Sequence, residues 1–124
     1  MTASAQALDL LASAARAADA KGGDDLVALD VSVPLPFADV FLLVTGNSER
    51  NVIAIADEIE EVLGHAGTPT RRREGHHTGR WILLDFGDLV VHVFHQEERL
   101  YYGLERLWAD CPALPVAPLL TSKS

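Results

Sequence analysis

Cysteine is almost absent from this chain: Cys111 is the only one in 124 residues. One thiol cannot build an internal disulfide framework, and its rarity suits a reducing, cytoplasmic compartment. Lysine is nearly as scarce, with Lys21 and Lys123 alone. No apolar run approaches the ~18–20 residues that a bilayer-spanning helix needs, so no membrane association is expected. The first segment, MTASAQALDLLASAARAADAKGG, has neither the basic start nor the apolar block of a secretory leader. Asp9 and Asp19 argue against an organellar transit peptide. Positive charge is in deficit, with 10 Lys and Arg against 18 Asp and Glu and a net charge of −8. That balance disfavours whole-surface binding to nucleic acid, where basic residues must neutralise phosphates. No dedicated nucleic-acid site is expected, and a basic protein partner, or none, is favoured. The one basic run, Arg71, Arg72 and Arg73 with Arg80 nearby, falls in a polar stretch and reads as a solvated loop.

What is present is enough apolar sequence for one core: 48% of residues are hydrophobic and 23% charged. The pattern predicts a single α/β domain over residues 1–111 and a Pro-rich, loosely held tail over 112–124. Residues 4–21 read as a helix with Leu8, Leu11, Ala15 and Ala18 on one face, closed by Gly22 and Gly23. LVALDVSV, residues 26–33, reads as a strand stopped by Pro34 and Pro36. Residues 38–46, apolar after Asp39, read as a central strand covered on both faces. Asn47-Ser48 looks like a cap for a helix with Val52, Ile55, Ala56, Ile59, Val62 and Leu63 at helical spacing, ended by Gly64 and Gly67. Residues 67–79 read as a polar loop. Two strands, WILLDF and LVVHVFH, follow, and then a helix with Leu100, Leu104, Leu107 and Trp108 on its apolar face.

Asp85-Phe86-Gly87 spells the magnesium-holding tripeptide of protein kinases. The rest of a kinase is missing: no Gly-rich loop, no strand lysine, no catalytic loop. Gly87-Asp88 between two apolar strands is instead a two-residue hairpin turn, with glycine supplying the positive φ. That turn predicts a register in which Phe86 faces Leu89. One hairpin face is then Ile82, Leu84, Phe86, Leu89, Val91 and Val93, wholly apolar, and must be core. The other is Trp81, Leu83, Asp85, Val90, His92 and Phe94, which mixes aromatics and aliphatics with an acid and an imidazole. Such a face is either covered by a helix with its polar groups satisfied at the margin, or a protein-binding patch with Trp81 as its anchor.

The remaining chemistry is thin. His92 and His95 lie three apart on a strand and point to opposite faces, and His76 and His77 are adjacent in a loop, so no zinc site is expected. No nucleophile elbow or Ser/His/Asp order appears, and no catalytic residue or cofactor is expected. VTGNSER places Gly46 and Ser48 where a strand gives way to a helix, a step that can bind phosphate. Nucleotidyl transferases also need paired metal-binding carboxylates on a neighbouring strand, and the preceding strand offers Asp30 alone.

LVALDV, ADVFLLVTGNSERNVIAIADEIEE, REG and GRWILLDFGDLVVHVFHQEERLYYGLERLW occur in this order between residues 26 and 108. In that order and spacing the chain resembles the ribosomal silencing factor family, also called Iojap-like proteins. Trp81 matches the family's tryptophan at the head of the hairpin. Asp85, Gly87, Asp88 and His92 match its D-x-G-D-x-x-x-H pattern, and Tyr102, Leu104, Glu105, Leu107 and Trp108 its Y-x-L-E-x-L-W. Thr45, Gly46, Ser48 and Arg50 match its T-G-x-S-x-R step, while Asn47, Pro34, Pro36 and the Pro-rich tail depart from the pattern. The resemblance implies a mixed α/β sheet related to nucleotidyl transferases but without their activity. It implies docking on the fourteenth protein of the large ribosomal subunit, a block on subunit joining when nutrients are short, and a homodimer when free. It places partner contacts at Trp81, Leu83, Asp85, Asp88, Val90, His92, Tyr102 and Trp108. A role in large-subunit assembly and a nucleotide-handling enzyme are the alternatives.

Overall fold

The computed structural model describes residues 3–33, 35, 38–75, 79–98 and 111–121. Two helices, α1 (Ala5–Ala20) and α2 (Glu49–His65), are interleaved with strands β1 (Asp24–Asp30), β2 (Val40–Gly46), β3 (Arg72–Glu74), β4 (Trp81–Asp85) and β5 (Leu89–His95). A short strand β6 (Ala113–Leu114) and a short helix α3 (Ala117–Thr121) follow. All the strands join one mixed sheet in the order β3-β4-β5-β2-β1-β6. Among the described strands only β2 and β5 run parallel, from Val40↔Leu89 to Gly46↔His95.

Local signals set the helix ends. The Ser4 side chain accepts from the Ala7 amide and that of Ser48 from the Asn51 amide, each taking up an amide that the first helical turn leaves unpaired. Past α1, Gly22 and Gly23 return their amides to the Asp19 and Ala18 carbonyls; past α2, Gly67 and Thr68 do the same to Gly64 and Leu63. Both are Schellman closures. The ending of α2 therefore belongs to Gly67, and Gly64 lies inside the helix.

The buried stripe of α1 is Ala7, Leu10, Leu11, Ala14, Ala15, Ala17 and Ala18. Leu8, expected on that stripe, is 40% exposed. It lies about 100° round the helix from Ala7, on the far side of a seam whose small alanines let α1 approach closely. β1 stops at Asp30 rather than running to residue 33. The Asp30 carboxylate accepts from the amide and hydroxyl of Ser32, a side-chain turn that diverts the chain from the sheet.

Beneath α1 and α2 the large core gathers Ala28, Val40, Leu42, Val44, Ile82, Leu84, Phe86, Leu89, Val91 and Val93 from the sheet. The opposite face carries a smaller cluster of Leu29, Val31, Ala38, Phe41, Leu43, Val90 and Phe94, with Val27, Leu35, Trp81, Leu83 and Cys111 packed against it. β2 is buried at every position, as a central strand should be.

The hairpin has the expected register, Trp81↔Phe94 through Asp85↔Val90, and the Phe86 amide donates to the Leu89 carbonyl at 2.9 Å. Gly87 has φ 94°, and no positive φ is found at Asp88, so the turn has the positive first position of the II′ class.

Two stretches read differently from their sequence. Residues 67–79 are not wholly loop: Arg72, Arg73 and Glu74 pair with Asp85, Leu84 and Leu83 as the edge strand β3. No apolar alternation marks this strand, because it shields an edge with charge. Arg73 bonds Asp57 and Glu60 on α2, tying the edge back to the helix. The Pro-rich stretch carries β6, whose Leu114 and Ala113 pair with Ala28 and Leu29, and α3, whose Leu119 carbonyl accepts from Arg16. The expected last helix with Tyr102 and Trp108 lies outside the described residues beyond its helical start at 96–98, as do Pro34, Pro36, His76 and His77.

Ile59 is fully buried in the large cluster, whereas Ile53 lies at its margin. Ile59→Ala is expected to lower stability by about 2–5 kcal/mol, seen as a lower urea midpoint at unchanged slope. Ile53→Ala should shift that midpoint less.

Candidate docking surface

The mixed face of the hairpin is not uniform. Trp81, Leu83 and Asp85 on β4 and Asp88 in the turn are half-buried. Val90, His92 and Phe94 on β5 are 6%, 6% and 0% exposed. The difference is positional. β5 lies between β4 and β2 and is flanked on both sides, whereas outside β4 the described residues place the three-residue β3. Val90 and His92, expected at a partner contact, are both buried in the structure.

His92 sits within a group of rings. Its plane lies at 4.9 Å and 63° to Phe41 and at 6.0 Å and 8° to Phe94. Trp81 rests on Phe94 at 5.0 Å, and its indole Nε1 donates to His92 Nδ1 at 3.3 Å. A nitrogen that accepts carries no proton, so the imidazole proton is on Nε2. Nε2 is buried and has no hydrogen-bond partner among the described residues. Burial lowers the His92 pKa from 6.5 to about 4, which keeps the ring neutral.

Beside Trp81 is a hollow of about 350 Å³ lined by Glu74, Gly75, Trp81 and Leu83. Gly75, at φ 79°, sits where two backbones approach closely: a Cβ there would collide with the Trp81 carbonyl oxygen. Glu74 and Gly75 were not among the expected contacts. The signal was the REG piece, whose glycine needs a backbone reason. At the other end of β4 the Asp85 carboxylate accepts from the Gly87 amide at 2.8 Å, bracing the turn. The Asp88 carbonyl accepts from the Asp39 and Val40 amides, fastening the turn to the start of β2. Tyr102 and Trp108 lie outside the described residues.

Arg80, next to Trp81, bonds Glu97 and Glu98 at 2.9 Å and reaches Glu49 on α2 at 3.5 Å. The more exposed pairs, to Glu97 and Glu49, orient the segment more than they stabilise it. The nucleotide step is otherwise engaged. Ser48 serves as the cap of α2, and Asp30 holds Ser32 and the Ala3 amide. His95 Nδ1 accepts from the Glu97 amide. Among the described residues no three or more His, Cys, Asp or Glu are grouped to hold a metal ion. The geometry thus offers a surface with an aromatic ring held in place.

The profile of a family described as "Ribosomal silencing factor during starvation" matches residues 4–124. The chain belongs to the ribosomal silencing factor family. It is 43% identical over 113 residues to ribosomal silencing factor RsfS of Halalkalibacterium halodurans, covering 91% of this chain and 97% of that one. It is 47% identical over 103 residues to the protein of the same name in Bacillus subtilis, covering 83% and 87%. A crystal structure from Chromobacterium violaceum matches with a TM-score of 0.81 and 32% identity, covering 92% of this chain and 98% of that one. The single α/β domain and its mixed sheet are therefore those of a ribosomal silencing factor fold.

In this member of the ribosomal silencing factor family the buried His92 carries a pH signature. The unfolded chain takes up a proton near 6.5 and the folded chain only near 4. Titration of His92 thus leaves folding unaffected above pH 6.5 and opposes it increasingly as pH falls from 6.5 toward 4. Urea unfolding should show a loss of about 1 kcal/mol from this group between pH 7.5 and 5.5, absent from His92→Phe. Gly75→Ala should displace Trp81, seen as a shift of its indole N–H signal in a ¹⁵N–¹H spectrum.

Proposed function

We propose that this protein represses translation by docking on the large ribosomal subunit through the sheet face around Trp81 and Leu83. Its partner there is the fourteenth protein of that subunit, and its bulk blocks association with the small subunit. The reading applies in the cytoplasm under nutrient limitation, with the free protein as a homodimer. The observation that carries it is a half-exposed tryptophan held against His92 and Phe94 beside an apolar hollow. An aromatic ring fixed at the edge of a pocket is the usual anchor of a protein interface. The likeness to proteins named ribosomal silencing factors directs the anchor to the ribosome. Charge supports the same choice. A chain of net charge −8, with Glu74 at the hollow and Asp85 and Asp88 along the strand, is drawn to a basic protein and repelled by bare RNA.

Within this reading Trp81 and Leu83 contact the partner, Asp85 and Asp88 flank them, and Val90 and His92 support them from below. Tyr102 and Trp108 join the contact from the segment after residue 98. The nucleotide-enzyme reading has less behind it, since Ser48 and Asp30 are both engaged in holding the fold. A repressor of this kind acts stoichiometrically and without turnover.

Sedimentation of ribosomal subunits through a sucrose gradient tests the proposal. The protein should travel with the large subunit and deplete joined ribosomes in proportion to its amount. Trp81→Ala should remain folded and bind large subunits about 30-fold more weakly, the effect of a ~2 kcal/mol anchor. Normal binding by that variant would remove Trp81 from the contact. Binding without loss of joined ribosomes would point to a role in subunit maturation instead.

A further inference from the structure

Burying an imidazole beside three aromatic rings is costly to the fold. The Nε2 proton of His92 has no acceptor among the described residues, and such a donor is left unsatisfied at a penalty. A phenylalanine at this position would pack against Phe41 and Phe94 without that penalty. Among the described residues the one polar contact the imidazole makes is through Nδ1, to the indole N–H of Trp81. What the histidine provides that an apolar ring does not is therefore an acceptor for the tryptophan.

Resting on the docking reading above, we infer that His92 is a positioning residue for Trp81: its Nδ1 holds the indole N–H and fixes the ring in the orientation that meets the partner. At 6% exposure His92 is covered and does not itself present a surface. It acts through the tryptophan. Phe94 supports the indole at 5.0 Å, a contact less directional than a hydrogen bond. The directional bond to His92 selects one orientation. Wrong orientations of a half-exposed anchor must be given up on binding, so a ring already held loses less on association. The same bond keeps the polar edge of the indole turned toward the protein.

Two substitutions separate positioning from packing. His92→Phe keeps a ring of similar shape and removes the acceptor. His92→Asn removes the ring and keeps an acceptor oxygen close to the place of Nδ1. Each is read by the Trp81 indole N–H signal in a ¹⁵N–¹H spectrum, assigned with Trp81→Phe, by urea unfolding, and by co-sedimentation with purified large subunits. His92→Phe should move the indole signal away from its hydrogen-bonded position and be at least as stable as the native chain. It should bind large subunits about tenfold more weakly. His92→Asn should be less stable, keep the signal near its native position and bind more tightly than His92→Phe. This ordering, with affinity following the acceptor and not the stability, is what a purely structural histidine would not produce. An unmoved indole signal in His92→Phe overturns the inference whatever the binding, as does native affinity in a variant whose signal has moved. Native protein that ignores large subunits overturns the docking reading and the binding consequence with it, while the indole signal still reports on the His92–Trp81 bond.

Discussion

The parallel pairing of β2 with β5 is the constraint on which the rest of the structure depends. It joins residues almost fifty positions apart, from Val40↔Leu89 to Gly46↔His95, and so closes a long loop at the centre of the sheet. A parallel pair needs a crossover, and α2 supplies it, laying Val52, Ile55, Ile59 and Leu63 over the strands it connects. Once β5 is placed beside β2, the tight turn at Gly87 brings β4 in on its other side, and β3 follows β4 to the edge. The same register sets Leu43 beside His92 and Phe41 beside Val90, which brings the Phe41 ring to 4.9 Å from the imidazole.

The two faces of the sheet serve different ends. The helix-covered face is apolar at its centre, with most of its sheet residues there at 0–3% exposure, and it carries most of the hydrophobic stabilisation. The other face admits a titratable ring, an unsatisfied donor and a half-exposed tryptophan, each of which an optimised core would avoid. Local concessions of this kind gather where a protein works rather than where it is merely held together. Here they converge on Trp81.

Charge is distributed on the same plan. Arg73 and Arg80 are both engaged by carboxylates, Arg73 fastening β3 to α2 and Arg80 linking the residue before Trp81 to Glu49, Glu97 and Glu98. The arginines that looked like a basic run in the sequence are thus partly structural, and the acidic excess remains the dominant field of the molecule.

The sequence by itself determined the elements whose signals are local. Ser4 and Ser48 mark helix starts because a side chain reaches an amide three residues on, and Gly87 fixes the hairpin register because a two-residue turn leaves one pairing. The apolar run of β2 announced a central strand, and the order of the motifs identified the family. Trp81 and Leu83 were legible as candidate contacts from the alternation of the hairpin. Only the tertiary structure decided that Leu8 faces outward, that β1 ends at Asp30, and that charged Arg72–Glu74 is a strand. It likewise drew Ala113 and Leu114 into the sheet and separated the buried Val90 and His92 from the half-buried residues of their own face. Each of these depends on which neighbour lies alongside. Alternation assigns a side chain to a face of the sheet, but how deeply that face is covered depends on strand order, set by contacts between residues far apart in the chain.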